Sequence, residues 1–71
     1  MEALLSNIRT TRKSKNYSQT YMAYELGIDY STYGKIERGL IMLTVGRLEQ
    51  IAEILDVDVS DIYTKAKPKA K

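Results

Sequence analysis

The chain has 71 residues, a formal net charge of +2, and neither Cys, His nor Trp. This length allows one small hydrophobic core and excludes a second domain. The missing thiol and imidazole groups exclude thiolate chemistry, imidazole catalysis, disulfides and any ordinary zinc site. We therefore expect no metal, no cofactor and no enzymatic activity. No apolar run approaches the roughly 20 residues of a membrane span and the N-terminus lacks a signal peptide, so we expect a cytoplasmic protein.

The first predicted helix covers residues 2–14, because three aliphatic side chains share one helical face: Leu4, Leu5 and Ile8. Arg12 lies four residues after Ile8 and therefore on the same inward face. A guanidinium that points inward needs an anionic partner, and Glu37 of the third predicted helix is the candidate for a structural ion pair. The alternative is that Arg12 extends along the surface and keeps its charge in water.

Two short helices joined by a tight turn are predicted over residues 18–38. Ser18 is a good N-cap for the first of them, and Gly27 suits the left-handed conformation that ends it. Asp29 can cap the second, which runs from residue 30 to about residue 38. A turn this short packs the two helices against each other at an angle, as in the helix-turn-helix unit of DNA-binding proteins.

The second helix of this pair has one apolar face and one polar face. With Tyr33 as the inward reference, steps of about 100° per residue also turn Ile36 and Glu37 inward. The outward positions carry small, polar or basic groups, namely Ser31, Gly34, Lys35 and Arg38. Small groups let a backbone approach a surface closely, which would compensate the low helix propensity of the glycine; alternatively, the glycine is merely tolerated.

An apolar run follows in a segment predicted to be a loop. Leu43 is expected to fold back onto the core, but four successive side chains cannot all face inward from one loop. For Leu40, Ile41 and Met42, burial by a partner molecule and burial in the core of the same chain are equal alternatives.

The rest of the chain is predicted to form two more helices and a tail. Thr44 caps the first helix, in which five apolar residues keep helical spacing: Val45, Leu48, Ile51, Ala52 and Leu55. Asp58 caps a short last helix, so the folded domain is predicted to span residues 1–64. Residues 48–64 carry five acidic side chains and no basic one. Residues 65–71 carry four Lys without apolar periodicity, and we expect a disordered basic tail there.

A wider pattern is formed by positions spread over residues 8–63, namely Arg12, Ser18, Gln19, Ala23, Leu26, Gly27, Ile28, Ser31, Thr32, Ile36, Glu37, Gly39, Leu48, Ile51, Ala52, Leu55 and Val57. In the order and spacing of these residues the chain resembles the lambda-repressor-like helix-turn-helix proteins, also called the Xre or Cro/C1 family. The resemblance implies an all-α, compact five-helix domain in which residues 18–26 cross the DNA backbone and residues 30–38 enter the major groove.

The resemblance also implies roles for individual residues. The positions that face base edges are occupied by Tyr30, Ser31, Gly34 and Lys35. Gln19 occupies a position that braces a phosphate and the first recognition residues, and Thr32 and Arg38 occupy positions that reach phosphates or flanking bases. Arg12 and Glu37 match the buried ion pair of the family.

Two departures from the family pattern add candidate contacts. Tyr21 stands where the family often has an acidic residue, and its hydroxyl is a further candidate for phosphate binding. The loop after the motif is commonly basic with a proline, but here it is apolar. We therefore interpret Leu40, Ile41 and Met42 as a patch for a dimer or a protein partner.

Together these features predict a sequence-specific regulator of transcription that binds double-stranded DNA. A homodimeric repressor on a palindromic operator is expected, because one short helix reads only a few base pairs. The alternative is an antitoxin or restriction-modification controller protein of the same fold. Its main partner would be another protein, bound at the acidic segment 48–64 and the apolar loop.

Overall fold

The computed structural model describes residues 2–66 and the side chains of residues 2–63. Within that range the chain is all-α, with five helices: α1 (Glu2–Ser14), α2 (Gln19–Leu26), α3 (Tyr30–Glu37), α4 (Val45–Leu55) and α5 (Val59–Ala66). The predicted five-helix, all-α fold is confirmed. The longest helix, α1, has 13 residues, and none of the helices over residues 2–66 has the length and apolar character needed to cross a membrane.

Side-chain caps set the starts of two helices as predicted. Ser18 Oγ accepts the backbone N–H three residues later at 2.9 Å ahead of α2, and Thr44 Oγ1 does the same at 3.1 Å ahead of α4. Asp29 occupies the cap position of α3, but its side chain caps no backbone N–H in the described chain. Its carboxylate instead accepts the Ser31 hydroxyl at 3.4 Å. The prediction of a side-chain cap at Asp29 was therefore wrong.

The helix ends follow the sequence signals closely. Gly27, with φ of 71°, ends α2 in the left-handed conformation that was predicted for it. Asp56 ends α4 in the same conformation, with φ of 60°, which a short polar side chain tolerates. Helix α5 continues to Ala66, two residues beyond the predicted boundary, since Lys and Ala are good helix formers. The rest of the predicted tail, residues 67–71, lies outside the described residues.

One hydrophobic core joins the five helices. Helix α1 packs against α3 and α5, and α2 packs against α3 and α4. The buried side chains of the core are Leu4, Leu5, Ile8, Met22, Ala23, Tyr33, Leu48, Ile51, Ala52, Leu55 and Ile62. Leu43 is partly buried against them, as predicted. Because α3 is fixed by its inner face to both α1 and α2, its opposite face is presented to solvent at a defined angle.

Candidate nucleic-acid interface

The carboxylate of Glu37 lies buried where α1, α2 and α3 meet, with only 1% of the residue exposed. Arg12 donates to both carboxylate oxygens, from Nε to Oε2 at 2.7 Å and from Nη2 to Oε1 at 3.1 Å. The Tyr33 hydroxyl donates to Oε2 at 2.5 Å, and Gln19 Nε2 donates to Oε1 at 3.0 Å. One carboxylate therefore receives hydrogen bonds from three different helices.

The ion pair predicted between Arg12 and Glu37 is thus present in the structure, and both partners are buried. Arg12 is 7% exposed, so the alternative in which its guanidinium reaches water is excluded. Its remaining nitrogen, Nη1, donates to the backbone carbonyl of Tyr17 at 3.0 Å. Arg9 adds a further link between α1 and α3 by donating to the backbone carbonyl of Glu37 at 2.5 Å. The angle of α3 is therefore held from α1 as well as from α2.

The protonation states of this network suit its hydrogen bonds. Burial disfavours the charged form of Glu37, but the hydrogen bonds from Arg12, Tyr33 and Gln19 outweigh burial and leave its pKa below the ordinary value of 4.5. Burial and the hydrogen bond to Glu37 raise the pKa of the Tyr33 hydroxyl far above its ordinary value of 10.0. At neutral pH the carboxylate is an acceptor and the hydroxyl a donor, as the geometry requires.

The outer face of α3 carries three of the four residues predicted to face base edges. Tyr30, Ser31 and Lys35 are exposed, and Ser31 and Lys35 lie four residues apart, so they share one stripe of the helix surface. This stripe offers two hydroxyl groups and one ammonium group. All three are donors suited to the acceptor atoms of bases in the major groove. Thr32, predicted to reach a phosphate, is half-buried beside them.

Gly34 does not belong to this exposed stripe, although it lies on the side of α3 that the helical repeat turns outward. The residue is buried in the middle of α3. A Cβ at this position would lie 3.1 Å from Nη1 of Arg38 and 3.8 Å from Oε1 of Gln19, so two long polar side chains cover the glycine. Helical geometry gives the direction of a Cα–Cβ bond, but it does not give the path of a flexible side chain one turn away.

The other predicted phosphate-binding residues flank the stripe. Gln19 is the first residue of α2 and is half-buried, whereas Arg38 follows α3 and is exposed. Sequence reasoning missed the hydrogen bond from Gln19 to Glu37, although both were identified separately as functional or structural residues. Tyr21 is exposed on α2 with its ring centroid 4.6 Å from that of Tyr17.

The apolar residues after α3 lie on the surface. Leu40 and Met42 are 67% and 83% exposed and Ile41 is 38% exposed, so burial in the core of the same chain is excluded for them. We refer to Leu40, Ile41 and Met42 as the apolar patch. Because the patch begins three residues beyond the end of α3, any molecule that covers it lies close to that helix.

Comparison with known proteins agrees with this geometry. A family model described as Helix-turn-helix matches residues 8–62. The chain is 36% identical over 56 residues to the uncharacterized HTH-type transcriptional regulator y4wC of Sinorhizobium fredii. The aligned segment is 79% of this chain but only 39% of that protein. The chain is also 34% identical over 55 residues to the uncharacterized HTH-type transcriptional regulator YazB of Bacillus subtilis. Here the aligned segment is 78% of this chain and 80% of that protein.

No solved structure matches the chain. The matched family segment nevertheless runs from the middle of α1 into α5 and includes the whole helix-turn-helix unit formed by α2 and α3. The chain therefore belongs to the helix-turn-helix family, in its lambda-repressor-like Xre and Cro/C1 branch of DNA-binding regulators.

Proposed function

We propose that the protein is a sequence-specific transcriptional repressor that binds a palindromic operator as a homodimer, with α3 in the major groove. The observation that carries the proposal is the exposed stripe of Tyr30, Ser31 and Lys35 on a helix whose inner face is tied down by Glu37. A reading helix has to present donors at fixed positions, and this helix does so without support from DNA.

Base reading is assigned to the stripe. The Lys35 ammonium is suited to guanine O6 and N7, and the Ser31 hydroxyl can donate to or accept from either type of base edge. Tyr30 lies at the first position of α3, where a side chain reaches the bases nearest the helix N-terminus.

Positioning is assigned to residues on both sides of the stripe. Gln19 and Tyr21 at the start of α2, and Thr32 and Arg38 on α3 and just after it, would bind phosphate oxygens. Contacts of this kind set register and orientation but carry no sequence information themselves. Their placement on two helices that meet at an angle would clamp one strand beside the major groove.

A dimer reads a longer stretch of DNA sequence than a single copy of the domain can. Helix α3 has eight residues and touches only a few base pairs, so useful specificity requires two half-sites. The apolar patch is the surface we assign to the contact between two copies. A second copy that covers these exposed apolar side chains would remove them from water, which favours association.

A second candidate function follows from the same patch. In an antitoxin or a controller protein of this fold, the apolar patch and the acidic segment 48–64 would bind a different protein, and DNA binding would serve autoregulation. The two functions differ in what covers the patch. A dimer that persists in the purified protein favours the first, and a monomer that binds DNA weakly favours the second.

Selection from a random pool of DNA duplexes tests the proposal. The purified protein should enrich two inverted copies of one short sequence, with centres about 10 base pairs or a multiple apart, since that spacing places both α3 helices on one face of the duplex. Failure to enrich any sequence would refute sequence-specific binding. Enrichment of a single unrepeated half-site would refute the palindromic operator.

A further inference from the structure

Two proposed phosphate contacts meet above Gly34. Nη1 of Arg38 lies 3.1 Å from the place where a Cβ of residue 34 would stand, which is closer than ordinary van der Waals contact. Arg38 follows Gly34 by four residues, and side chains of a helix lean toward its preceding turn, so the guanidinium folds back along α3. A Cβ at residue 34 would force the guanidinium away from this place by a few tenths of an ångström.

The Arg38 guanidinium has no competing partner in the described part of the chain. Arg9 and Arg12 both donate to Glu37, but no hydrogen bond or ion pair is formed by the Arg38 side chain among residues 2–63. Its donors are therefore exposed, charged and available to an anion. The bare backbone at Gly34 lets that charge lie close against α3.

Gln19 contributes to the same place. Its Nε2 is committed to Glu37 at 3.0 Å, so the amide is turned with Oε1 toward Gly34, 3.8 Å from the position of the absent Cβ. A carbonyl-type oxygen attracts a guanidinium, which favours the folded-back conformation of Arg38 over an extended one. The buried carboxylate thereby orients a surface acceptor through one amide group.

We propose that Gly34 is a positioning residue for DNA binding: the missing side chain seats the Arg38 guanidinium against α3 beside Gln19, where it binds a DNA phosphate. The inference rests on the proposed function, in which α2 and α3 contact DNA. It replaces the base-facing role that the sequence predicted for Gly34. It also gives a reason for a residue of low helix propensity in the middle of an eight-residue helix.

The test compares Gly34→Ala with Gly46→Ala. Gly46 is the second residue of α4, is exposed, and has nothing within 4 Å of the position of its absent Cβ. Both changes replace a helical glycine by the best helix former, so neither variant should melt below the parent protein. Only the Cβ of Gly34→Ala displaces Arg38, whose flexible end can move without disturbing the core.

Affinity should then separate the two variants. Gly34→Ala should bind both a selected duplex and a scrambled one about tenfold more weakly, the loss expected for one charge-assisted hydrogen bond. The slope of log K against log salt should flatten by about 0.9, as for one lost phosphate contact. Gly46→Ala should match the parent in both measurements. Arg38→Ala should reproduce the loss, and adding Gly34→Ala to it should change nothing further.

Several results would overturn the inference. The inference is wrong if Gly34→Ala binds DNA with the affinity and salt dependence of the parent protein. It is also wrong if Gly34→Ala weakens binding as much in the Arg38→Ala background as in the parent. In both cases, DNA binding by the parent would still support the proposed function. Absence of DNA binding by the parent would instead refute the proposed function together with the inference. The Arg38 Nε–Hε NMR signal provides a readout without DNA: it should move in Gly34→Ala and not in Gly46→Ala, and an unmoved signal would refute the steric basis.

Discussion

Replacing Arg12 by alanine tests the energetic role of the buried network. The change removes two hydrogen bonds to Glu37 and one to the carbonyl of Tyr17. Glu37 would retain only the Tyr33 hydroxyl and the Gln19 amide as donors, both uncharged. The carboxylate would therefore stay buried without a cation, which is the costly half of a broken ion pair.

The expected destabilisation is about 3–5 kcal/mol, the range found when one partner of a buried pair is removed. A domain of this length has a total stability of about 4–10 kcal/mol, so Arg12→Ala should lose roughly half of it. With a urea m-value of about 1 kcal/mol/M for a small domain, the midpoint of unfolding should fall by about 3–5 M. Glu37→Ala should cost about as much. Replacing Arg12 and Glu37 together by apolar residues should cost much less, since neither charge is then left unpaired.

Far-ultraviolet circular dichroism in a urea titration is the assay, and Glu2→Ala is the matched control. Glu2 forms an ion pair with Arg9 at 2.6 Å, but its side chain is 74% exposed, so its removal should cost less than about 1 kcal/mol. If Arg12→Ala and Glu2→Ala unfolded at the same urea concentration, the network would be refuted as a major source of stability.

Three further predictions concern acid, assembly and specificity. Because the pKa of Glu37 is lowered by folding, its contribution to stability is complete above its ordinary value of 4.5 and is lost as the pH falls through the folded-state pKa. Glu37→Gln should therefore show a smaller difference between its urea midpoints at pH 7 and pH 3 than the parent, and an equal difference would contradict this. Ile41→Asp should shift the protein from dimer to monomer in sedimentation while its helical signal is retained, and an unchanged oligomeric state would remove the apolar patch from the dimer contact. Lys35→Ala should cost about 1–3 kcal/mol on the selected duplex and relax the preference at one base pair per half-site, whereas an equal loss on a scrambled duplex would make Lys35 a phosphate contact.

The features that sequence reasoning predicted correctly are those governed by local rules. The caps at Ser18 and Thr44 and the left-handed Gly27 depend only on neighbouring residues. The meeting of Arg12 and Glu37 follows from the helical repeat, which places each of them on the inner face of its own helix. In so small a core, two buried side chains of opposite charge have few other charged groups with which to pair.

The features that were missed depend on side chains from different elements meeting in space. Gly34 lies where the helical repeat predicts, but its surroundings are decided by the conformations of Arg38 and Gln19. Similarly, the hydrogen bond from Gln19 to Glu37 is set by the crossing angle of α2 and α3, which no local pattern specifies. The exposure of Leu40 and Met42 was one of two alternatives left open by the sequence, because a loop has no periodicity from which the direction of a side chain can be read.

The hydrogen bond from Tyr33 to Glu37 also gives the protein an optical probe of its own folding. The chain has six tyrosines and no tryptophan, so its near-ultraviolet absorbance comes from phenol groups. Burial and the carboxylate beside it raise the pKa of Tyr33, so formation of its phenolate is disfavoured while α1, α2 and α3 are packed together. In an alkaline titration, the last step of phenolate absorbance should therefore coincide with the loss of helix, and it would report opening of the helix-turn-helix unit without any label.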